Sequence, residues 1–130
     1  MNKYVMDAYA WIEYFKGSDK GEKIKSLFKD ENHEFFTHKV TFSEVISVTK
    51  RQSFDPEEAS RDILSLSKLY EGDIEFFKET GLLHADLRRK IKNFGLADTF
   101  VLHTAQRLGA KVITGDPHFK GFKGEVIFIG

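Results

Sequence analysis

The sequence of 130 residues contains no cysteine, and this absence excludes several kinds of site. A disulfide scaffold, a zinc ribbon, an iron–sulfur cluster and a thiolate nucleophile all require cysteine. Carboxylates and imidazoles are the strong metal ligands that remain, and a carboxylate-rich site favours hard cations such as Mg²⁺ and Mn²⁺.

The chain also lacks an excess of charge of one sign and lacks a long apolar run. Its 20 basic residues balance 20 acidic residues, which argues against a protein that grips nucleic acid through bulk positive charge. No apolar stretch approaches the roughly 20 residues of a membrane span, and the apolar run before Asp7 is too short for a signal peptide. We therefore expect a soluble cytoplasmic protein with no membrane partner and with any nucleic-acid site confined to a local surface.

Length and composition predict a single domain over residues 1–130. With 41% hydrophobic and 14% aromatic residues, the chain can bury one core. Strands are predicted at 4–6, 35–37, 74–76, 111–114 and 126–129, and helices at 8–15, 24–28, 40–52, 56–70, 82–91 and 96–108. Because strands alternate with helices, the fold class is α/β, a three-layer α/β/α sandwich with a mostly parallel central sheet.

Four acidic residues each have an ordinary structural explanation when they are considered alone. Asp7 fits a helix N-cap, Asp116 fits a Gly-Asp-Pro turn, and Asp98 gains from the dipole at a helix start. Glu44 is unusual because valines share its helical face, although a salt bridge would also account for it. No single acid therefore identifies a site.

The predicted topology brings these four acids to one place. In a right-handed parallel sheet, the strand-to-helix turns open at the carboxyl edge, where such folds bind ligands. Asp7 and Asp116 follow predicted strands, and Glu44 and Asp98 lie near the starts of predicted helices. Converging carboxylates raise one another's pKa unless a divalent cation neutralises them. The pattern predicts an Mg²⁺ or Mn²⁺ site suited to phosphodiester hydrolysis, and no P-loop, dinucleotide-binding turn or serine-hydrolase elbow is present.

Four segments, in order along the chain, resemble PIN-domain ribonucleases, in particular the VapC-type toxins of toxin–antitoxin pairs. They are VMDAYAW at 5–11, SEV at 43–45, GLADT at 95–99 and VITGDPHF at 112–119. The resemblance implies an Mg²⁺- or Mn²⁺-dependent endoribonuclease with RNA as its substrate, a homodimer and a cognate VapB-type antitoxin. It also implies that the catalytic, metal-binding acids are Asp7, Glu44, Asp98 and Asp116, and that Thr114 supports them.

Basic residues near the predicted site are candidate substrate contacts. Arg88, Arg89 and Lys90 form the densest basic run, although a solvated helix face explains such a run equally well. Lys120 follows the last acid closely enough in sequence to reach a bound strand.

Histidines are expected to be structural. His38 and His118 fit surface or capping positions better than substrate contacts, and His103 falls in a helix interior.

A partner surface is predicted on the first two helices. Their large apolar side chains exceed what two short helices bury in a domain of 15.0 kDa; they are Trp11, Tyr14, Phe15, Ile24, Leu27 and Phe28. We expect an amphipathic antitoxin segment to dock there, with a basic side chain that reaches toward the acids.

Two other functions remain open at this stage. A catalytically silent module of the same fold would bind RNA or protein without turnover, which agrees with the zero net charge. A DNA-directed nuclease would share the metal chemistry, because DNA and RNA have the same phosphoryl transition state.

Overall fold

The computed structural model describes all 130 residues and has one parallel sheet of five strands. The strands are β1 (Asn2–Met6), β2 (His33–His38), β3 (Lys68–Tyr70), β4 (Lys111–Thr114) and β5 (Val126–Phe128), in the spatial order β3-β2-β1-β4-β5. The helices are α1 (Ala8–Lys16), α2 (Asp19–Phe28), α3 (Lys39–Arg51), α4 (Pro56–Leu66), α5 (Ile74–Lys90) and α6 (Leu96–Leu108). Each strand pair is parallel, so the predicted α/β/α class is confirmed.

Alternate residues of β1 enter two different apolar cores, as the two-residue period of a strand requires. Tyr4 and Met6 belong to a core that includes buried residues of α1, α2, α3 and α4. Val5 belongs to a second core, built with Val101 and Leu102 of α6. Helices therefore cover both faces of the sheet, and no helix combines the length and hydropathy needed to cross a bilayer.

The segment between α4 and α5 differs from the sequence-based prediction. A helix from 56 to 70 and a strand at 74–76 are both wrong, because α4 ends at Leu66 and the third strand is Lys68–Tyr70. The Ser67 side chain shares a hydrogen bond of 2.8 Å with Thr37 of β2, so the chain joins the sheet at this point. The following apolar residues begin α5, capped by Asp73, whose side chain accepts a hydrogen bond from the backbone N–H of Phe76 at 2.9 Å.

The expected excess of apolar surface on α1 and α2 is wrong for the two residues that the structure buries completely, Trp11 and Ile24. The indole of Trp11 stacks on Phe15 and Phe28 at centroid distances of 5.8 and 5.6 Å. Its Nε1–H also donates to the Thr37 hydroxyl at 3.1 Å. The sheet covers these side chains, so only the outer parts of α1 and α2 can meet a partner.

Candidate metal centre

The four predicted acids lie at or near the carboxyl edge of the sheet. Asp7 directly follows β1, and Asp116 follows β4 after a single glycine. Glu44 lies in the second turn of α3, the helix that leaves β2, and Asp98 lies in the first turn of α6. Strand order places β1 between β2 and β4, so the elements that carry three of the acids are neighbours.

Asp7 is the most buried of the four, with 2% of its surface exposed. It caps α1, because its Oδ1 accepts a hydrogen bond from the backbone N–H of Ala10 at 2.8 Å. Burial and, to a smaller extent, the charges of Asp98 and Asp116 raise the pKa of Asp7 to about 8, although the hydrogen bonds from Thr114 and Ala10 oppose the rise. The capping explanation is therefore correct but incomplete, since an ordinary cap is not buried beside two other acids.

Thr114 connects two of the acids. The Thr114 hydroxyl donates a hydrogen bond to Oδ2 of Asp7. The hydroxyl oxygen of Thr114 also accepts a hydrogen bond from the backbone N–H of Asp116 at 3.0 Å. One side chain thus fixes the end of β1 relative to the turn after β4.

Glu44 and Asp98 also resist ionisation. Burial raises the pKa of Glu44, and the charges of Asp98 and Asp116 add to the rise. Burial and the charge of Asp116 both raise the pKa of Asp98, while a hydrogen bond with the backbone of Gly95 and the imidazole of His118 lower it. No lysine or arginine side chain is among the groups that shift these pKa values. No lysine or arginine therefore neutralises the negative charge of the cluster, and the basic side chain that lies beside it is His118.

Ligand atoms of Asp98, Asp116 and His118 lie within 4.8 Å of one another. The Nδ1 atom of His118 is 3.4 Å from Oδ1 of Asp116 and 3.9 Å from Oδ2 of Asp98. Two carboxylates that repel one another and an imidazole nitrogen close to both form a set of donor atoms that fits a divalent cation. Asp7 and Glu44 are not members of this three-residue group, but the charges of Asp98 and Asp116 raise the pKa of both.

Sequence reasoning missed the position of His118. The side chain is partly exposed, as expected, but its Nδ1 atom points toward Asp98 and Asp116 from a 3₁₀ turn over Pro117–Phe119, which the sequence did not predict. Asp116 caps that turn by accepting a hydrogen bond from the backbone N–H of His118. The two-residue spacing between Asp116 and His118 was therefore the sequence signal that the two side chains lie close together.

His38 and His103 are structural, as expected. His38 caps α3, where Nδ1 accepts from the backbone N–H of Val40 at 3.0 Å. His103 stacks on Phe76 at 4.3 Å and shares a hydrogen bond of 2.7 Å with the Thr80 hydroxyl.

The candidate substrate-binding residues are all exposed. Arg88, Arg89 and Lys90 occupy the last turn of α5, and residues 91–95 lead from there into α6 and its acid. Lys120 ends the 3₁₀ turn, and its Nζ lies 5.6 Å from the centre of the Phe128 ring. The helix dipole alone would favour basic residues at the end of α5, so their position agrees with either explanation.

Comparison with solved structures finds the same fold in toxin–antitoxin proteins. A toxin–antitoxin complex from Klebsiella pneumoniae has a TM-score of 0.73 at 20% identity, over 98% of each chain. DNA-bound VapBC from Salmonella typhimurium has a TM-score of 0.71 at 19% identity, over 100% of each chain. Mycobacterium tuberculosis VapC20, a sarcin–ricin loop cleaving toxin, has a TM-score of 0.74 at 12% identity, over 92% of this chain and 95% of that one.

Comparisons of the sequence gave one match. No curated protein sequence matches this chain. The PIN domain model, however, matches residues 4–125, a span that begins in β1 and ends just before β5. Since that span includes every acid of the candidate centre and nearly the whole fold, the chain belongs to the PIN domain family.

Proposed function

We propose that residues 1–130 form one nuclease domain, a cytoplasmic endoribonuclease that depends on Mg²⁺ or Mn²⁺. Asp7, Glu44, Asp98 and Asp116 hold one or two cations and carry out catalysis, and Thr114 supports them. One observation supports this most strongly: three of the four acids have raised pKa values, and no lysine or arginine side chain is among the groups that shift them. A protein that needed these acids only for folding would gain stability from a lysine or arginine at the same place.

The residues of the chain position the reaction. A divalent cation supplies Lewis acidity toward the phosphodiester and assists deprotonation of the attacking water. Asp7 is held in one orientation by the Ala10 N–H and the Thr114 hydroxyl, so it enters the reaction without reorganisation. Asp98 and Asp116 are partly exposed, with 22% and 29% of their side-chain surfaces accessible, so they can meet substrate and cation together.

RNA is the proposed substrate, because the fold is shared with a toxin described as cleaving the sarcin–ricin loop. Arg88, Arg89 and Lys90 offer phosphate contacts beside the loop that leads to Asp98. Lys120 offers a further phosphate contact, and the neighbouring ring of Phe128 can stack on a base.

A VapB-type antitoxin is the proposed partner, because solved structures with this fold are toxin–antitoxin complexes. A cavity of about 90 Å³ next to α1 and α4 is lined by Phe15 and Phe54 and by three acids, Asp55, Glu58 and Asp62. A cavity of this size takes a single side chain, and its acids suit a basic side chain of an amphipathic antitoxin segment. The toxin itself is proposed to be a homodimer.

Incubation of the purified protein with total RNA tests this function. We expect cleavage with Mn²⁺ or Mg²⁺ and none with EDTA, and we expect Asp98→Asn to reduce the rate by about a hundredfold. Asp86→Asn is the matched control, because Asp86 is an exposed acid on α5.

Three outcomes would contradict the proposal. Intact RNA under every metal would overturn it, and binding of RNA without cleavage would favour the silent binding module. Preferential cleavage of single-stranded DNA over RNA of the same sequence would indicate a DNA-directed nuclease.

A further inference from the structure

His118 carries a buried nitrogen that has no hydrogen-bond partner. The whole structure has two such side-chain atoms, Oγ1 of Thr41 and Nδ1 of His118. The His118 side chain is 38% exposed, but Nδ1 itself is turned inward, toward the carboxylates of Asp98 and Asp116. A buried nitrogen without a partner costs free energy, so its position needs a physical explanation.

The surrounding structure fixes the orientation of this imidazole. The backbone N–H of His118 donates to Oδ1 of Asp116 at 2.9 Å, which closes the 3₁₀ turn. The ring packs edge-on against Phe94, at a centroid distance of 6.4 Å and an interplanar angle of 82°. Phe94 is fully buried, so it forms a rigid wall behind the ring.

We propose that Nδ1 of His118 is a ligand of the cation that Asp98 and Asp116 hold, and that it makes the centre prefer Mn²⁺ and other transition metals over Mg²⁺. This inference rests on the proposed function, because it adds a nitrogen to the acidic centre described there. Mg²⁺ prefers an all-oxygen shell, whereas transition metals accept imidazole readily. The partnerless nitrogen is then explained, because its lone pair faces the cation.

A different arrangement would give the opposite result. A protonated His118 would form ion pairs with Asp98 and Asp116 and would compete with the cation. Replacing the imidazole would then strengthen cation binding, whereas loss of a ligand weakens it. The sign of the change in affinity therefore separates the two arrangements.

Pulsed electron paramagnetic resonance on the full-length protein loaded with Mn²⁺ tests ligation directly. We expect nitrogen modulation of the electron spin echo in the wild type and its loss in His118→Gln. This measurement on the wild type does not depend on how well the variant folds. The matched control is His33→Gln, because His33 begins β2 at the amino edge of the sheet, opposite the acids.

Calorimetric titration with Mn²⁺ and with Mg²⁺ completes the test. His118→Gln should lower the affinity for Mn²⁺ by about tenfold or more and should change the affinity for Mg²⁺ little. Unchanged or tighter Mn²⁺ binding, or a wild-type spectrum without nitrogen modulation, overturns the role of His118 while the nuclease proposal stands. Failure of the wild type to bind either cation overturns both proposals, whereas cation binding with nitrogen modulation but without RNA cleavage overturns the nuclease proposal alone.

Discussion

Asp7→Asn should change how the stability of the metal-free protein depends on pH. The variant keeps an oxygen that can accept the hydrogen bond from Ala10, and it removes the group that titrates. Burial first, and then the charges of Asp98 and Asp116, raise the pKa of Asp7 from 3.8 to about 8. The folded wild type therefore holds a proton on Asp7 over a pH range in which the unfolded chain has already released it.

The sign of the effect follows from this difference in bound protons. Between about pH 4 and pH 8 the folded state binds more protons, so the free energy of unfolding falls as the pH rises. One titrating group sets a limiting slope of about 1.4 kcal/mol per pH unit. Across the shift from 3.8 to about 8 the total loss is at most about 6 kcal/mol. That loss is comparable to the whole stability of a marginal domain.

Urea unfolding of both proteins in EDTA, at each pH unit from 5 to 8, is the assay. The difference between wild type and Asp7→Asn isolates Asp7, because the buried histidines and the other acids titrate in both proteins. We expect the wild type to lose stability relative to the variant at each step toward pH 8. Parallel curves for the two proteins would refute the reasoning, since they would mean that Asp7 is ionised in the folded state throughout.

In thermal melts with EDTA, Asp98→Asn should unfold at a temperature equal to or above that of the wild type, because the substitution removes charge repulsion. In melts with Mn²⁺ at 100 times its Kd, the wild type should gain about 2.7 kcal/mol of stability, and Asp98→Asn should lose most of that gain. A variant that is less stable in EDTA yet keeps the full increment would make Asp98 a helix-start acid only. Thr114→Val should lower stability by about 1–3 kcal/mol, because it leaves the buried Asp7 carboxyl and a backbone N–H without the hydroxyl; Thr114→Ser should restore most of it in the same melts. Gly115→Ala should cost about 1–3 kcal/mol, because its new Cβ would lie 2.2 Å from a ring carbon of Tyr9, and an unchanged melting temperature would show that the ring moves aside freely.

Local sequence patterns were sufficient for the elements whose signals lie within one segment. The apolar run that ends at Asp7 predicts β1, and the Asp-Pro pair at 55–56 predicts the start of α4. The acids follow from the same local information, because a residue after a parallel strand has to lie at the carboxyl edge. The resemblance to PIN domains rests on these same segments.

Tertiary structure decided what depends on contacts between distant segments. Lys68–Tyr70 is a strand because β2 lies beside it, whereas the equally apolar segment at 74–76 is capped by Asp73 and becomes a helix. Similarly, the exposure of Trp11 depended on whether the sheet covers it.

The features of the site also divide into those that the sequence predicts and those that only tertiary structure decides. The sequence by itself predicted four acids at one edge of a parallel sheet, because strands that alternate with helices along the chain are parallel and their turns into helices open at the same edge. Tertiary structure alone buried Asp7 beside Asp98 and Asp116 and turned His118 inward between the last two. A pKa shift and a ligand distance depend on desolvation and on the packing of segments far apart in the chain, which no local pattern records.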